Sequence, residues 1–132
     1  MAAEPTKSSV LGGVTVEAIA DAVVTLDIKG VVTSWNPAAE SLLGHSSTDM
    51  VGATLATVIP EEFRGRHMGG FHAALDSGTL QHEGRPARVR AMTADGKVVP
   101  LAMTLGLLRD PDQSVVGAVS VLRPLVELVR FA

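Results

Sequence analysis

Asp27-Ile28-Lys29-Gly30-Val31-Val32-Thr33-Ser34-Trp35-Asn36-Pro37-Ala38-Ala39-Glu40 compresses a turn, a strand and a helix start into one short run. Lys29-Gly30 is a turn signal, and the β-branched run from Val31 to Trp35 reads as a strand. Asn36-Pro37 reads as a helix N-cap followed by proline at the first helical position, where a missing N–H costs nothing. Ala38, Ala39, Leu42 and Leu43 carry that helix to Gly44, which stops it. Upstream, Ala22 to Asp27 is again rich in β-branched residues, so the two strands around Lys29-Gly30 form a hairpin.

Beyond Gly44, Ser46-Ser47-Thr48-Asp49-Met50 caps a second short helix, and Leu55 to Ile59 forms a third that Pro60 breaks. A longer helix then runs from about Glu61 to Asp76 and ends at Ser77-Gly78. Its interior Gly65, Gly69 and Gly70 each cost about 1 kcal/mol relative to alanine, so the helix depends on what packs against it. From Arg85 the period changes to two. Ala87 to Thr93, Val98 to Leu107 and Val115 to Leu122 read as strands, joined by a tight turn at Asp95-Gly96 and a longer one at Asp110-Pro111-Asp112. Two strands, several short helices and three strands predict an α+β fold: a five-stranded antiparallel sheet with short helices packed on one face. Residues 1–13 read as a flexible N-terminal lead-in, with a short helical turn at Val14, Val16, Ile19 and Ala20. Leu122, Leu125, Val126 and Val129 suggest an amphipathic helix at the other end, assigned to residues 125–132.

The chain of 132 residues is long enough for one domain that buries about two-thirds of its unfolded surface. A content of 46% apolar and 19% charged residues, with mean hydropathy +0.30, excludes an intrinsically disordered chain. The net charge of −3 provides no basic field, so neither nucleic acid nor an acidic membrane surface is expected as a partner. With no cysteine, disulfides, thiolate metal sites and thiol photochemistry are all excluded. No apolar run approaches the length of a membrane span and Met1 to Lys7 lacks the order of a secretion signal, which points to the cytoplasm.

The most suggestive chemistry lies in the long helix. At helical spacing Phe63, His67, Gly70, Phe71, Ala74 and Leu75 share one face, while His72 lies off it. A flat apolar cofactor needs such a face. His67 supplies an imidazole ligand, the glycines remove side chains that would hold a macrocycle away, and Arg64 and Arg66 could neutralise acidic groups at its rim. The competing interpretation is a packing or partly exposed histidine near a helix start. Zinc is disfavoured, because His67 and His72 diverge on a helix. No nucleophile elbow, phosphate loop, nucleotide fingerprint or Ser/His/Asp order is present, so no catalytic site is expected. On the next strand Arg88 and Arg90 project to one face and Val89 and Ala91 to the other, with Arg85 sharing the parity of Ala87. Arg85 or His82 could bind a carboxylate, whereas Trp35 reads as a structural residue at the edge of the first hairpin.

Over residues 14–124 the chain resembles a PAS domain. The motifs carrying the resemblance are Asp27 to Glu40 as quoted, Leu43-Gly44, Val51-Gly52, Gly84-Arg85, Ala94-Asp95-Gly96 and the strand containing Gly117. It implies a sensory or signal-relay domain, not an enzyme, that forms a homodimer through its flanking helices and acts on a separate signalling partner.

A narrower resemblance is to haem-binding PAS domains of bacterial oxygen and redox sensors, carried by Arg64-Gly65-Arg66-His67 and the spacing from His67 through Asp95-Gly96 to Pro100. It implies b-type haem held by His67, with Arg64, Gly70, Phe71, Arg85, Met103 and Leu105 around it. The domain would then sense a diatomic gas or iron redox state. Two positions depart from the pattern: Ala87 stands where those sensors carry an oxygen-holding arginine, and Gly70 or Phe71 where a tyrosine or bulky residue is usual. Leu101, Met103 and Leu105 share a strand face resembling the distal wall, which makes Met103 a candidate sixth iron ligand and Met92 a weaker one. Met103 is also well suited simply to fill core space. Two alternatives remain: a PAS module binding a small organic ligand such as a carboxylate or flavin, and a ligand-free dimerisation module.

Overall fold

The computed structural model describes residues 16–80 and 85–125. The opening hairpin comprises β1 (Ala22–Asp27) and β2 (Val32–Trp35), paired antiparallel. Its turn is closed by the Asp27 carboxylate, which accepts from the backbone N–H groups of Lys29 at 2.8 Å and Val31 at 3.0 Å. Gly30 takes φ +79°, a left-handed conformation that favours glycine.

Helix α1 (Pro37–Leu43) starts as the sequence predicts, with the Asn36 side chain accepting from the Ala39 N–H at 3.0 Å. It ends at Gly44, whose N–H bonds to Glu40 O in a left-handed cap. Helix α2 (Ser47–Met50) is capped by Ser46. Leu55–Val58 is a single 3-10 turn where a third helix was expected, because Pro60 leaves no room to propagate. Helix α3 (Glu61–Ser77) is the longest and is capped by left-handed Gly78.

The remaining strands are β3 (Ala87–Met92), β4 (Val98–Arg109) and β5 (Val115–Pro124). The five-stranded sheet has the order β2-β1-β5-β4-β3, and every neighbouring pair is antiparallel. Central β5 pairs with β1 on one side and β4 on the other, so the N-terminal hairpin is joined to the C-terminal strands through it. The sequence announces the β4–β5 hairpin through the turn at Asp110-Pro111-Asp112 but leaves the β1–β5 link unspecified, since no short turn joins those two strands.

Strands β4 and β5 extend two residues past their expected ends. Leu122 therefore lies in the ladder opposite Met103 and Ala22, not at the start of a helix. The reason is cooperative pairing: with Leu101 and Ala102 of β4 available opposite Pro124 and Arg123, the strand gains by continuing. The lead-in over 1–13 lies outside the described residues, as does the C-terminal helix over 125–132 except for Leu125.

One face of the sheet carries Val24, Leu26, Trp35, Ala91, Leu101 and Ala118, which pack with Ala39, Leu43, Met50, Val58 and Phe71 from the helical side. The core is thus one apolar layer between sheet and helices. No helix among the described residues is long and apolar enough to cross a membrane.

Candidate functional site

The apolar layer is incomplete. Between α3 and the inner face of the sheet lies a cavity of about 520 Å³, within the size range of small-molecule and cofactor sites. Phe63 and His67 of α3 form one wall, Leu55, Val58 and Ile59 a second, and β-strand residues including Val24, Met103, Ser120 and Leu122 the floor. Strand alternation explains the floor. Val24 pairs with Ser120, which pairs with Leu105, and Leu122 pairs with Met103, so these side chains share a face.

His67 is placed here by the helical repeat that also brings Phe63, four residues earlier, to the cavity. Its Nδ1 is buried and has no hydrogen-bond partner among the described residues. Burial holds the imidazole pKa below its ordinary value, which favours the neutral, ligand-competent ring. Arg66, Arg88 and Arg90 add cationic charge to the lining, and the Arg90 guanidinium stands 6.0 Å from the centre of the Phe63 ring.

A second cavity of about 160 Å³ is lined by Gly70, Ala74, Leu80, Arg85, Ala87, Met103 and Leu105. The residues expected around one ligand are therefore divided. His67 and Met103 meet at the larger cavity, Gly70, Arg85 and Leu105 line the smaller one, and Met103 borders both.

Two expected residues line neither. The Arg64 Nε donates to the Ile59 carbonyl at 2.9 Å, tying the start of α3 to the preceding turn. Phe71 is buried in the core beside Gly30, where an added Cβ would lie 3.7 Å from its ring. Helical periodicity defines a stripe, but the stripe spans both ligand-facing and core-facing positions. His82 lies outside the described residues.

Among the lining residues that escaped the sequence reading, two carry polar groups. Trp35, assigned a structural role, lines the larger cavity while its Nε1 donates to the His45 carbonyl at 2.9 Å. Ser120 is only 6% exposed and stands among apolar neighbours on the floor. Its inward parity with Ala118 and Leu122 was the available signal: a lone polar residue on the buried face of a central strand.

Among the described residues no group of three His, Asp or Glu side chains could cage a metal ion. The arrangement instead presents one imidazole, that of His67, to a largely apolar floor, with arginines at its border.

A family model described as the PAS fold matches residues 14–125. The chain is 28% identical over 116 residues to the cyclic di-GMP phosphodiesterase PdeB of Shewanella oneidensis, covering 88% of this chain and 13% of that protein. It is 35% identical over 86 residues to an uncharacterized protein of Azorhizobium caulinodans, covering 64% of this chain and 12% of that one. It therefore spans a small fraction of the curated relatives it matches. Among solved structures, a PAS domain from Colwellia psychrerythraea superposes with TM-score 0.75 at 18% identity, covering 87% of this chain and 94% of that one. A Light-Oxygen-Voltage domain solved in connection with a flavin analogue gives 0.67 at 15% identity, covering 90% and 86%. At these identities the structural likeness concerns the fold.

Proposed function

Because this chain belongs to the PAS family of sensory domains over residues 14–125, we propose that it senses through the cavity between α3 and the sheet, with b-type haem as the occupant and His67 as the iron ligand. The observation that carries this reading is the His67 ring: it lines an apolar cavity, its Nδ1 is orphaned, and burial biases it to the neutral form. The residues present fit the group. The floor is apolar, Met103 offers a thioether from the sheet side, and Arg66, Arg88 and Arg90 are available to acidic substituents.

Haem would supply an iron centre able to bind a diatomic gas or change redox state. The protein's part is to hold the ring by His67, exclude water with Val24, Leu122 and Val58, and pass a change in occupancy to the sheet. Since Met103, Ser120 and Leu122 belong to the two strands at the heart of the ladder, a shift there reaches β1 and the chain entering it. The output is a changed contact within a homodimer or with a signalling partner. PdeB offers a model, because its matched segment is a minor part of a phosphodiesterase.

Adding hemin to the purified chain tests the assignment. A Soret band is expected in the wild type and should be lost in His67→Ala; equal uptake by both would remove His67 as the ligand, and no uptake would remove haem. The arginines support a second reading, a small organic anion such as a carboxylate or a flavin phosphate in the same cavity. A flavin would show near-ultraviolet and blue absorption, but without cysteine it could form no thiol adduct.

A further inference from the structure

Resting on the haem reading above, we propose that Ser120 positions and discriminates the sensed gas: its hydroxyl donates a hydrogen bond to a diatomic ligand held on the sheet side of the cavity. Ser120 is one of two polar residues buried in the described core, at 6% exposure. It stands on central β5 between Val24 of β1 and Leu105 of β4 and lines the larger cavity; its Oγ makes no hydrogen bond among the described residues and is not sealed from solvent.

Such a hydroxyl is free to bond whatever fills the cavity, because no protein group among the described residues has taken it up. The position does not require one. Ala118, two residues earlier on the same face, shows that a small apolar side chain packs there, and it is 1% exposed. A polar side chain on an otherwise apolar floor, with no structural partner among the described residues, is placed to meet a ligand in the cavity.

The other lining donors are less suited. The Trp35 Nε1–H is already spent on the His45 carbonyl. Arg90 is drawn over Phe63, and Arg88 shares its outward strand parity. Met103 is an acceptor at best. Ser120 thus provides a neutral, short and rigid donor on the floor, facing the space that His67 borders from the helix.

The test uses the full chain loaded with hemin, comparing wild type, Ser120→Ala and Ser120→Thr. Three readouts are needed: the infrared C–O stretch of the carbon monoxide complex, the oxygen dissociation rate, and the urea midpoint of the ligand-free chain. Ser120→Ala should take up hemin normally, move the C–O stretch to higher wavenumber and release oxygen about three- to tenfold faster, the worth of one hydrogen bond. Ser120→Thr, which keeps the donor, should stay close to wild type. The ligand-free Ser120→Ala midpoint should stay close to wild type, since no protein hydrogen bond is lost.

An unchanged stretch and rate in Ser120→Ala would overturn the inference and leave the haem reading standing. A lowered ligand-free midpoint would overturn it too, by showing that the hydroxyl serves the fold. Failure of the wild type to bind hemin would sink both.

Discussion

The Asn36 Oδ1 accepts from the Val23 N–H at 2.9 Å, so the residue that caps α1 also fastens β1 from the inside. The same oxygen accepts from Ala39 N at 3.0 Å, while Nδ2 donates to the carbonyls of Asp21 at 2.9 Å and Val16 at 3.2 Å. One buried amide joins the entering chain, the first strand and the first helix. Replacing it by alanine leaves several buried backbone groups unpaired and should cost about 2–4 kcal/mol in urea unfolding. Asn36→Asp keeps the cap acceptor but loses the donor pair and buries a charge, so it should also be destabilised, increasingly so above the carboxylate pKa.

Gly117 lets β5 approach β1 more closely than a side chain would allow. A Cβ built there would lie 2.2 Å from the Leu26 carbonyl oxygen, on a rigid neighbouring strand. Gly117→Ala therefore forces β1 and β5 apart at one end of their ladder. The expected result is a loss of about 2 kcal/mol or more in chemical unfolding, whereas Gly65→Ala on α3, where an added Cβ meets nothing within 4 Å, should gain up to about 1 kcal/mol.

Arg64 and Arg66 look equivalent in sequence and part company in the structure. Arg64 is tied to the Ile59 carbonyl, whereas Arg66 lines the larger cavity. Arg64→Ala should lower stability by about 1 kcal/mol with hemin uptake at saturation unchanged. Arg66→Ala should leave the unfolding midpoint in place and weaken hemin binding a few-fold, read from a titration of the Soret band.

That pair shows what the residue pattern could and could not disclose. The turn at Lys29-Gly30, the Asn36 cap and the period-two strands are local signals, and each formed where its own residues dictated except at the ends of β4 and β5, which mutual pairing extends. Strand order was legible only as a class, because β5 reaches the centre through its pairing with β1, which no short turn announces. The site was half legible. Helical spacing brought out His67 and strand parity Met103, but the same spacing also selected Phe71, which packs into the core. Ser120 and Trp35 were missed because a cavity is a gap left by side-chain volumes on several elements, and a one-dimensional pattern records none of those volumes.

His67 makes stability pH-dependent in a definite direction. Burial lowers its pKa from the ordinary 6.5, so on acidification the unfolded chain binds the proton before the folded one. Its contribution to stability is full above the unfolded-state value and is lost as pH falls through the folded one. Urea midpoints of the ligand-free wild type should drop more between about pH 7.5 and about pH 5 than those of His67→Gln, which has no proton to take up at that site. The other histidines are common to both proteins, so the difference between the two curves isolates this ring. Hemin uptake by the wild type should weaken over the same interval, because only the neutral imidazole can coordinate iron. A wild type and variant whose midpoints fall in parallel would show that the ring titrates as it would in water, and would remove burial as the source of its neutral form.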